Sequence, residues 1–511
     1  MLAMLLAALD QTIVGTAEPR IIAQLHGFDR YPWVATVYLL TSTLTVPIFA
    51  RFSDIYGRKP FFMASATLFV AASGLCGAAG LMPLPLDGMN QLILFRGLQG
   101  IGAGGVMGLI FTIVGDIFAP QERGRYQGFF SAVWGISAVF GPTLGGWLTD
   151  TVSWRACFYV NVPVGLVALA AMHFEFPNFK ARGGAHRIDW LGIGTLIACI
   201  GPLLIALTLA TDLGWTSTRV LTLLGASAVM LTVFLFVESR AVEPLIPLSL
   251  FRNPVIAVCS VCIFAVGTGM FGVIIYLPLF MQGVLGVSAT SSGGLMMPMM
   301  MGTVFGTALS GQLLSRLGRY KHIAVVGSVL MATGMTLFAQ MHQTTPRWEI
   351  VAGMIACGLG MGLLMPVYTV AVQNVAPRHL MGAATASTIF FRSIGSTVGV
   401  AAFGTVMLMN YHADFARAIP RGAPANTAEL FSNPLLLRQM RPQIEAAFSM
   451  HGGMTMLDTL MRSVPEALEH GLQLVFQSSA AMMIAAVVLH AAIKNLPLRA
   501  HSHQEPEMPA H

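Results

Sequence analysis

Apolar runs of about 20 residues recur along the whole chain, and each is long enough to cross about 30 Å of hydrocarbon as a helix. Their cores lie at 1–22, 32–50, 60–82, 91–115, 126–148, 157–177, 190–210, 219–238, 254–281, 291–314, 322–341, 350–373, 383–408 and 471–493. The pattern predicts fourteen transmembrane helices, the seventh and eighth the least decorated with polar motifs. An even count places both termini on one side. The first run holds Asp10 and no small-residue cleavage site follows it, so no cleavable signal peptide is expected. Met1 to Arg20 barely spans a bilayer, which points to a start placed too late or to a very short N-terminus.

The runs also repeat. ARFSDIYGRK (50–59), after the second run, has a counterpart in GQLLSRLGRYK (311–321), after the tenth. Asp54, Gly57 and Arg58 align with Ser315, Gly318 and Arg319. TIVGDIFAP (112–120) pairs with TVAVQNVAP (369–377), and GPTLGG (141–146) with GSTVGV (395–400), at a nearly constant spacing. Helices 1–6 and 9–14 therefore read as two similar six-helix bundles with two helices inserted between them. The expected organisation is an N-terminal bundle (1–178), the inserted pair with its linkers (179–250) and the first five helices of the C-terminal bundle (251–408). A long outer segment (409–470), the last helix (471–496) and a polar tail (497–511) follow. Two parallel repeats around a midplane site are the mark of an alternating-access transporter.

Composition agrees: only 10% of residues are charged, against about 25% in a soluble chain. The net charge of +6 is explained by topology and not by nucleic acid. With the N-terminus inside, all four lysines (Lys59, Lys180, Lys321 and Lys494) and most arginines fall on the cytoplasmic side. The short outer loops hold Arg30, Arg155, Arg219 and Arg347, with Arg20 at the outer end of the first helix. The expected location is the cytoplasmic (inner) membrane, with both termini cytoplasmic. The six cysteines lie in apolar segments. Cys259 and Cys262 have a metal-like spacing but no accompanying His or second pair, so packing is expected of them. No His–carboxylate cluster, phosphate loop or metal spacing marks an enzyme.

Candidate chemistry sits on polar residues inside the apolar runs. Asp10, in LDQTIVGTAEP (9–19), is a mid-helix carboxylate whose cost in lipid only a function explains; it is a candidate for proton exchange. Glu18 is two turns on, about 80° around the helix. It reads either as a second proton-coupling acid or as an exposed interfacial one. In LFRGLQGIGAGGVMG (94–108), Arg96 faces a cavity or a partner, or snorkels to the outer interface. Gln99 lies one turn on and is a candidate for the substrate cavity, and the glycines permit close helix approach. Gly135, Gly141, Pro142, Gly145 and Gly146 give the fifth helix a flat, bendable face. Asp54, Gly57 and Arg58 suit a cytoplasmic gate: Gly57 allows a tight turn, and Asp54 can meet the N-terminus of the helix beginning near Gly382. MMPMMM (296–301) offers Met296 and Met300 to a cavity that accepts varied apolar ligands, although lipid-facing filler is the stronger reading. Arg392 is a further cavity candidate.

These motifs resemble the fourteen-span drug:proton antiporter branch of the major facilitator superfamily. SDIYGRK, RGLQGIGAG and GPTLGG are similar to the superfamily's loop, fourth-helix and antiporter motifs. LDQTIVGTAEP, SWRACFYVNVPVG (153–165), RIDWLG (187–192) and PLIPLSLFRN (244–253) resemble the fourteen-span branch in particular. YLPLFMQGVLGVS (276–288) and the stretch 371–401 also fit, so the resemblance covers nearly the whole chain. It implies proton-driven export of amphipathic drugs, with no cofactor beyond the proton gradient. Asp10 and Arg96 would touch the proton path, Asp54, Gly57 and Arg58 would form the gate, and Gly141, Pro142, Gly145 and Gly146 would be the antiporter signature. Glu18 departs from the family, which usually has an apolar residue there. The implied partners are a small molecule, protons and the lipid bilayer, with a periplasmic adaptor protein an option in a Gram-negative host. An exporter or symporter of a single metabolite is the alternative on the same fold.

Overall fold

The computed structural model describes residues 2–117, 120–175, 189–241, 246–377, 380–420 and 454–492, with isolated positions at 244 and between 423 and 448. The side chains of some helical residues, Asp54 among them, lie outside that description. The described elements are helical, as a chain in lipid requires: a helix satisfies its own backbone polar groups where water cannot. In order they are α1 (Leu2–Gln24), α2 (Tyr31–Tyr56), α3 (Arg58–Gly77), α4 (Gly88–Ile117), α5 (Pro120–Thr151), the single turn α6 (Ala156–Tyr159) and α7 (Asn161–Glu175). The inserted pair is α8 (Trp190–Leu213) and α9 (Thr218–Arg240). Then come α10 (Pro254–Leu279), α11 (Ala289–Leu317), α12 (Lys321–Ala339), α13 (Arg347–Val375), α14 (Met381–Ala418) and α15 (Met454–Ala492). Among the described residues, ten helices are both long and apolar enough to cross a membrane. The last two outrun their apolar cores: α14 continues to Ala418 and α15 begins at Met454, so both ends of the expected outer segment are helical.

Local chemistry sets the helix ends. Asp189, Ser288 and Asn253 cap α8, α11 and α10, each side chain accepting a backbone N–H of the first turn. Gly57 closes α2 with φ of 102°, a conformation that side-chain-bearing residues avoid, and lets α3 start at the next residue.

The internal repeat is visible in the packing. α4 lies against α2 and α3, α1 against α5, and α7 against α1 and α3; correspondingly α13 lies against α11 and α12, α10 against α14, and α15 against α10 and α12. Glycines make the closest approaches. A Cβ at Gly104 would overlap the Ser42 carbonyl of α2, and one at Gly358 the Met299 carbonyl of α11. The halves meet through α5 with α11, α2 with α14, and α1 with α10. α8 and α9 pack on each other, and α8 on α14, where Thr405 donates to the Leu207 carbonyl at 2.6 Å. α9 exposes Leu221, Val229, Leu235 and Phe236, as a lipid-facing helix does.

Contacts between the halves gather at the end opposite the α2–α3 turn. Tyr31 donates to the Ile275 carbonyl at 3.0 Å, and Gln282 to the Thr16 carbonyl at 2.9 Å. Asp150 of α5 accepts from Thr290 at the start of α11, at 2.7 Å from the amide and 2.6 Å from the hydroxyl. Asp29 and His412 pair at 3.0 Å. The halves are clasped at this face.

Candidate functional site

α1 carries Asp10 into the interior of the N-terminal half, where it is fully buried. α4 brings Arg96 from the opposite side, 3% exposed, and its guanidinium donates to Asp10 Oδ2 at 2.8 Å. Gln99, one turn along α4, donates to Asp10 Oδ1 at 2.8 Å while its own Oε1 accepts from Arg96 at 2.7 Å. Asn161 at the start of α7 also donates to Asp10 Oδ1 at 2.8 Å and to Ser73 of α3 at 3.1 Å. The Tyr38 ring of α2 covers the guanidinium at 4.0 Å, a cation–π contact. One carboxylate thus collects three donors from two other helices. A buried ion pair of this kind gains little net stability, and losing one partner leaves an uncompensated charge.

The neighbouring motif holds Asn161 in place. Trp154 donates to Gln24 at 2.8 Å, and Arg155 to the carbonyls of Gly77 and Ala79 at 2.8 and 2.6 Å. These bonds tie α6 to the ends of α1 and α3, and α7 starts from that anchor.

Between the halves, Gln11, Glu18, Tyr38 and Arg96 face Phe271 and Ile274 of α10 across a cavity of about 30 Å³. That is room for roughly one or two waters. Glu18 is 1% exposed, which removes the exposed interfacial reading, and its Oε1 has no hydrogen-bond partner among the described residues. Hydrogen bonds do not join it to the Asp10 cluster.

α5 grips two neighbours with two faces of one motif. Pro142's carbonyl accepts from Thr16 of α1 at 3.1 Å, and a Cβ at Gly141 or Gly145 would overlap Thr12 or the Ile13 carbonyl of α1. On the other face, a Cβ at Gly146 would overlap the Ala289 carbonyl of α11, and Gly135 lies against Val304 of the same helix. The antiporter-like motif therefore sits on the seam between the halves.

Other expectations are redistributed. Arg96 is paired inside the bundle, so it does not snorkel. Gln99 belongs with Asp10, not with the substrate cavity. Met296 and Met300 are 1% and 4% exposed in helix packing, so they are not lipid-facing filler, and they stand outside the cavity's lining. Arg392 is half-buried, meets the Met365 sulfur at 3.3 Å, and does not line that cavity. At the α2–α3 turn Arg58 is buried and donates to Ser53 at 2.6 Å, while the expected contact of Asp54 with the start of α14 lies outside the described residues. The six cysteines are buried and unpaired by disulfides. Asn161 and Tyr38 escaped sequence reasoning. A lone Asn in the apolar stretch after SWR was the available signal for the first, and the second had none.

Residues 1–400 match the family model described as Major Facilitator Superfamily. The chain belongs to that superfamily. Over 496 residues it is 37% identical to the multidrug transporter protein MdtP of Bacillus subtilis, covering 92% of this chain and 89% of that one. It is 36% identical over 410 residues to multidrug resistance protein 3 of the same organism, covering 80% and 78%. Among solved structures, a bacterial homologue of the human lysosomal transporter Spinster superposes with a TM-score of 0.62 at 17% identity, over 96% of each chain. A D-xylose–proton symporter does so with 0.58 at 16%, over 86% of this chain and 94% of that one. At such identities the likeness is one of fold. The chain is a multi-pass membrane transporter of this superfamily and not an enzyme.

Proposed function

We propose that this transporter is a proton-coupled antiporter that exports amphipathic drugs or other toxic small molecules across the cytoplasmic membrane by alternating access of its two halves. The observation that carries this is the Asp10–Arg96 pair with its Gln99 and Asn161 donors. Such a cluster is costly inside a membrane bundle and useful if the carboxylate exchanges a proton. Protonation removes the charge that holds Arg96, loosens the meeting of α1, α4 and α7, and changes how α1 sits against α5 and α10. The basic α2–α3 turn belongs on the cytoplasmic side. In this reading the clasped face is the outer one, and Asp54, Gly57 and Arg58 gate the other. Proton entry supplies about 2.3 kcal/mol per charge per 100 mV of potential. The multidrug character of the two Bacillus relatives supports a broad apolar substrate range. In inverted vesicles, a panel of amphipathic drugs should be pumped inward under an imposed proton gradient, and Asp10→Asn should abolish this. Pumping of a single metabolite and none of the drugs would support the single-substrate alternative.

A further inference from the structure

Arg392 is a charge inside the C-terminal half that no described acid balances. It lies eleven residues into α14, about 16 Å along the helix, near the middle of the hydrocarbon. An arginine at that depth is costly, and it ordinarily has an acidic partner or faces a cavity. A guanidinium carries five N–H donors, yet among the described residues its hydrogen-bond partner is the Met365 sulfur of α13 at 3.3 Å, a weak acceptor. Burial acts on it and no described acid is within electrostatic reach. Packing does not require it either. At the spacing that aligns Gly141 with Gly395, the counterpart of Arg392 on α5 is Ala138.

The helix sets its direction. Phe390 and Ile394 pack against the α8 cluster that includes Ile200 and Leu204. Arg392 projects about 160° away from them, toward α13 and away from the inserted pair. Its backbone is fixed on α10: a Cβ at Gly267 would overlap the Arg392 carbonyl, and Ser396 donates to the carbonyls of Arg392 and Gly267 at 2.8 and 3.3 Å. Gly267, Phe271 and Ile274 form one i, i+4, i+7 stripe of α10. Phe271 and Ile274 are the apolar wall of the inter-half cavity, so the cation stands about one turn before that wall begins. Across the cavity Arg96 is already paired with Asp10, and Glu18 turns any anionic end away from α1 and toward α14.

We propose that Arg392 recognises the negative group of amphipathic organic anions, a sulfonate or carboxylate, whose apolar body lies along Phe271 and Ile274 once the halves part. This rests on the exporter reading above and names a substrate class for it. The planar guanidinium fork matches two oxygens of such a group, and partial burial strengthens the contact. A midplane position between the two repeats is where a transporter of this architecture holds its substrate.

The test is equilibrium dialysis of the purified full-length chain against a matched pair, dansylate and its neutral counterpart dansylamide, with empty micelles as blank and the thermal melt as fold control. Wild type should prefer dansylate. Arg392→Gln should lower the dansylate-to-dansylamide affinity ratio by about tenfold to a hundredfold, as loss of one close charge contact implies. Arg392→Lys keeps the charge without the fork, so its ratio should fall between the two. Phe271→Ala removes wall and not charge, and should weaken both ligands alike. An unchanged ratio in folded Arg392→Gln, or a folded Arg392→Lys with no preference, would overturn the anion site; full binding of both ligands by Phe271→Ala would overturn the placement of the body. Displacement of dansylate by an equal concentration of inorganic phosphate, or of phosphatidylglycerol added to the micelles, would reassign Arg392 to a free or lipid anion and overturn substrate recognition. Proton-driven uptake of dansylamide into wild-type inverted vesicles is read separately. Its absence would defeat the exporter reading and leave the binding ratios standing.

Discussion

Removing one partner of the Asp10–Arg96 pair should destabilise the folded protein more than removing both. The two groups meet at 2.8 Å with 0% and 3% of their side chains exposed, so solvent screens them little. At an effective dielectric of about 20, charges about 4 Å apart attract by about 4 kcal/mol. Deleting one member of a buried pair typically costs about 3–5 kcal/mol because the survivor is left uncompensated. Arg96→Gln strands Asp10, which keeps Gln99 and Asn161 as donors and so falls at the low end. Asp10→Asn strands the guanidinium, whose remaining direct contacts are neutral: Gln99, the Tyr38 face and the Val34 carbonyl at 3.4 Å. The double variant removes both charges and should recover about 2 kcal/mol or more relative to the sum of the singles. Unfolding titrations in mixed micelles give all four corners of the cycle. Transport in proton-loaded vesicles should fail in all three variants, because Asp10 is either replaced or left without its guanidinium. Additive single effects, or a double variant that pumps at wild-type rate, would refute the reasoning.

α5 supports three further expectations, and the inserted pair a fourth. Gly146→Val presses on the Ala289 carbonyl of α11, and overpacking of about 1–3 kcal/mol should drive the clasped arrangement apart. Thiol labelling of cysteines placed near Tyr31 should rise roughly tenfold while the melt of each half stays near wild type. Gly145→Val presses instead on α1 within one half, so it should lower the yield of folded protein without that selective rise in labelling. Asp150→Ala removes the acceptor for the Thr290 amide and hydroxyl, worth about 1 kcal/mol, and should shift the same labelling modestly in the same direction. Cysteines along α8 and α9 should show no protection by substrate; shielding of several would place the inserted pair in the pathway.

What the sequence could show follows from the physics. Helix number, the repeat and the cost of Asp10 are one-dimensional properties, visible as runs, spacings and a polar residue in an apolar stretch. Arg96 and Gln99 were visible as polar residues on one helix face, but their partner was not, since Asp10 lies eighty-six positions away and meets them only through packing. Tyr38 could not be singled out, because an aromatic in an apolar helix looks the same whether it covers a guanidinium or a lipid. The methionines at 296 and 300 failed for the opposite reason: thioethers suit lipid, cavity and core alike, and only the approach of α13 to α11 decides. The helical ends of the segment 409–470 were hard to see because their polar residues interrupt hydropathy without interrupting helical hydrogen bonding.

The glycine-rich face of α5 explains how a charge event on α1 can reach the seam between the halves. Along Thr12, Ile13 and Thr16, α1 lies so close to α5 that a single added methyl would collide, and the Thr16 hydroxyl is bonded to the Pro142 carbonyl at 3.1 Å. Packing of that density leaves no room for α1 to slide alone, so a change in how α1 is held at Asp10 is passed to α5 as a displacement of the pair. On its other side α5 meets α11 through Gly146 against the Ala289 carbonyl, the Pro142 carbonyl against Gly293, and Asp150, which accepts two hydrogen bonds from Thr290. Both surfaces are packed so closely that an added methyl would collide, but the polar contacts of α5 with α11 lie at an exposed end, where water can replace them. In the proposed cycle a rearrangement at Asp10 would be passed through α5 to its contact with α11. In the proposed antiport cycle, the small residues on the two sides of α5 let it keep α1 and release α11.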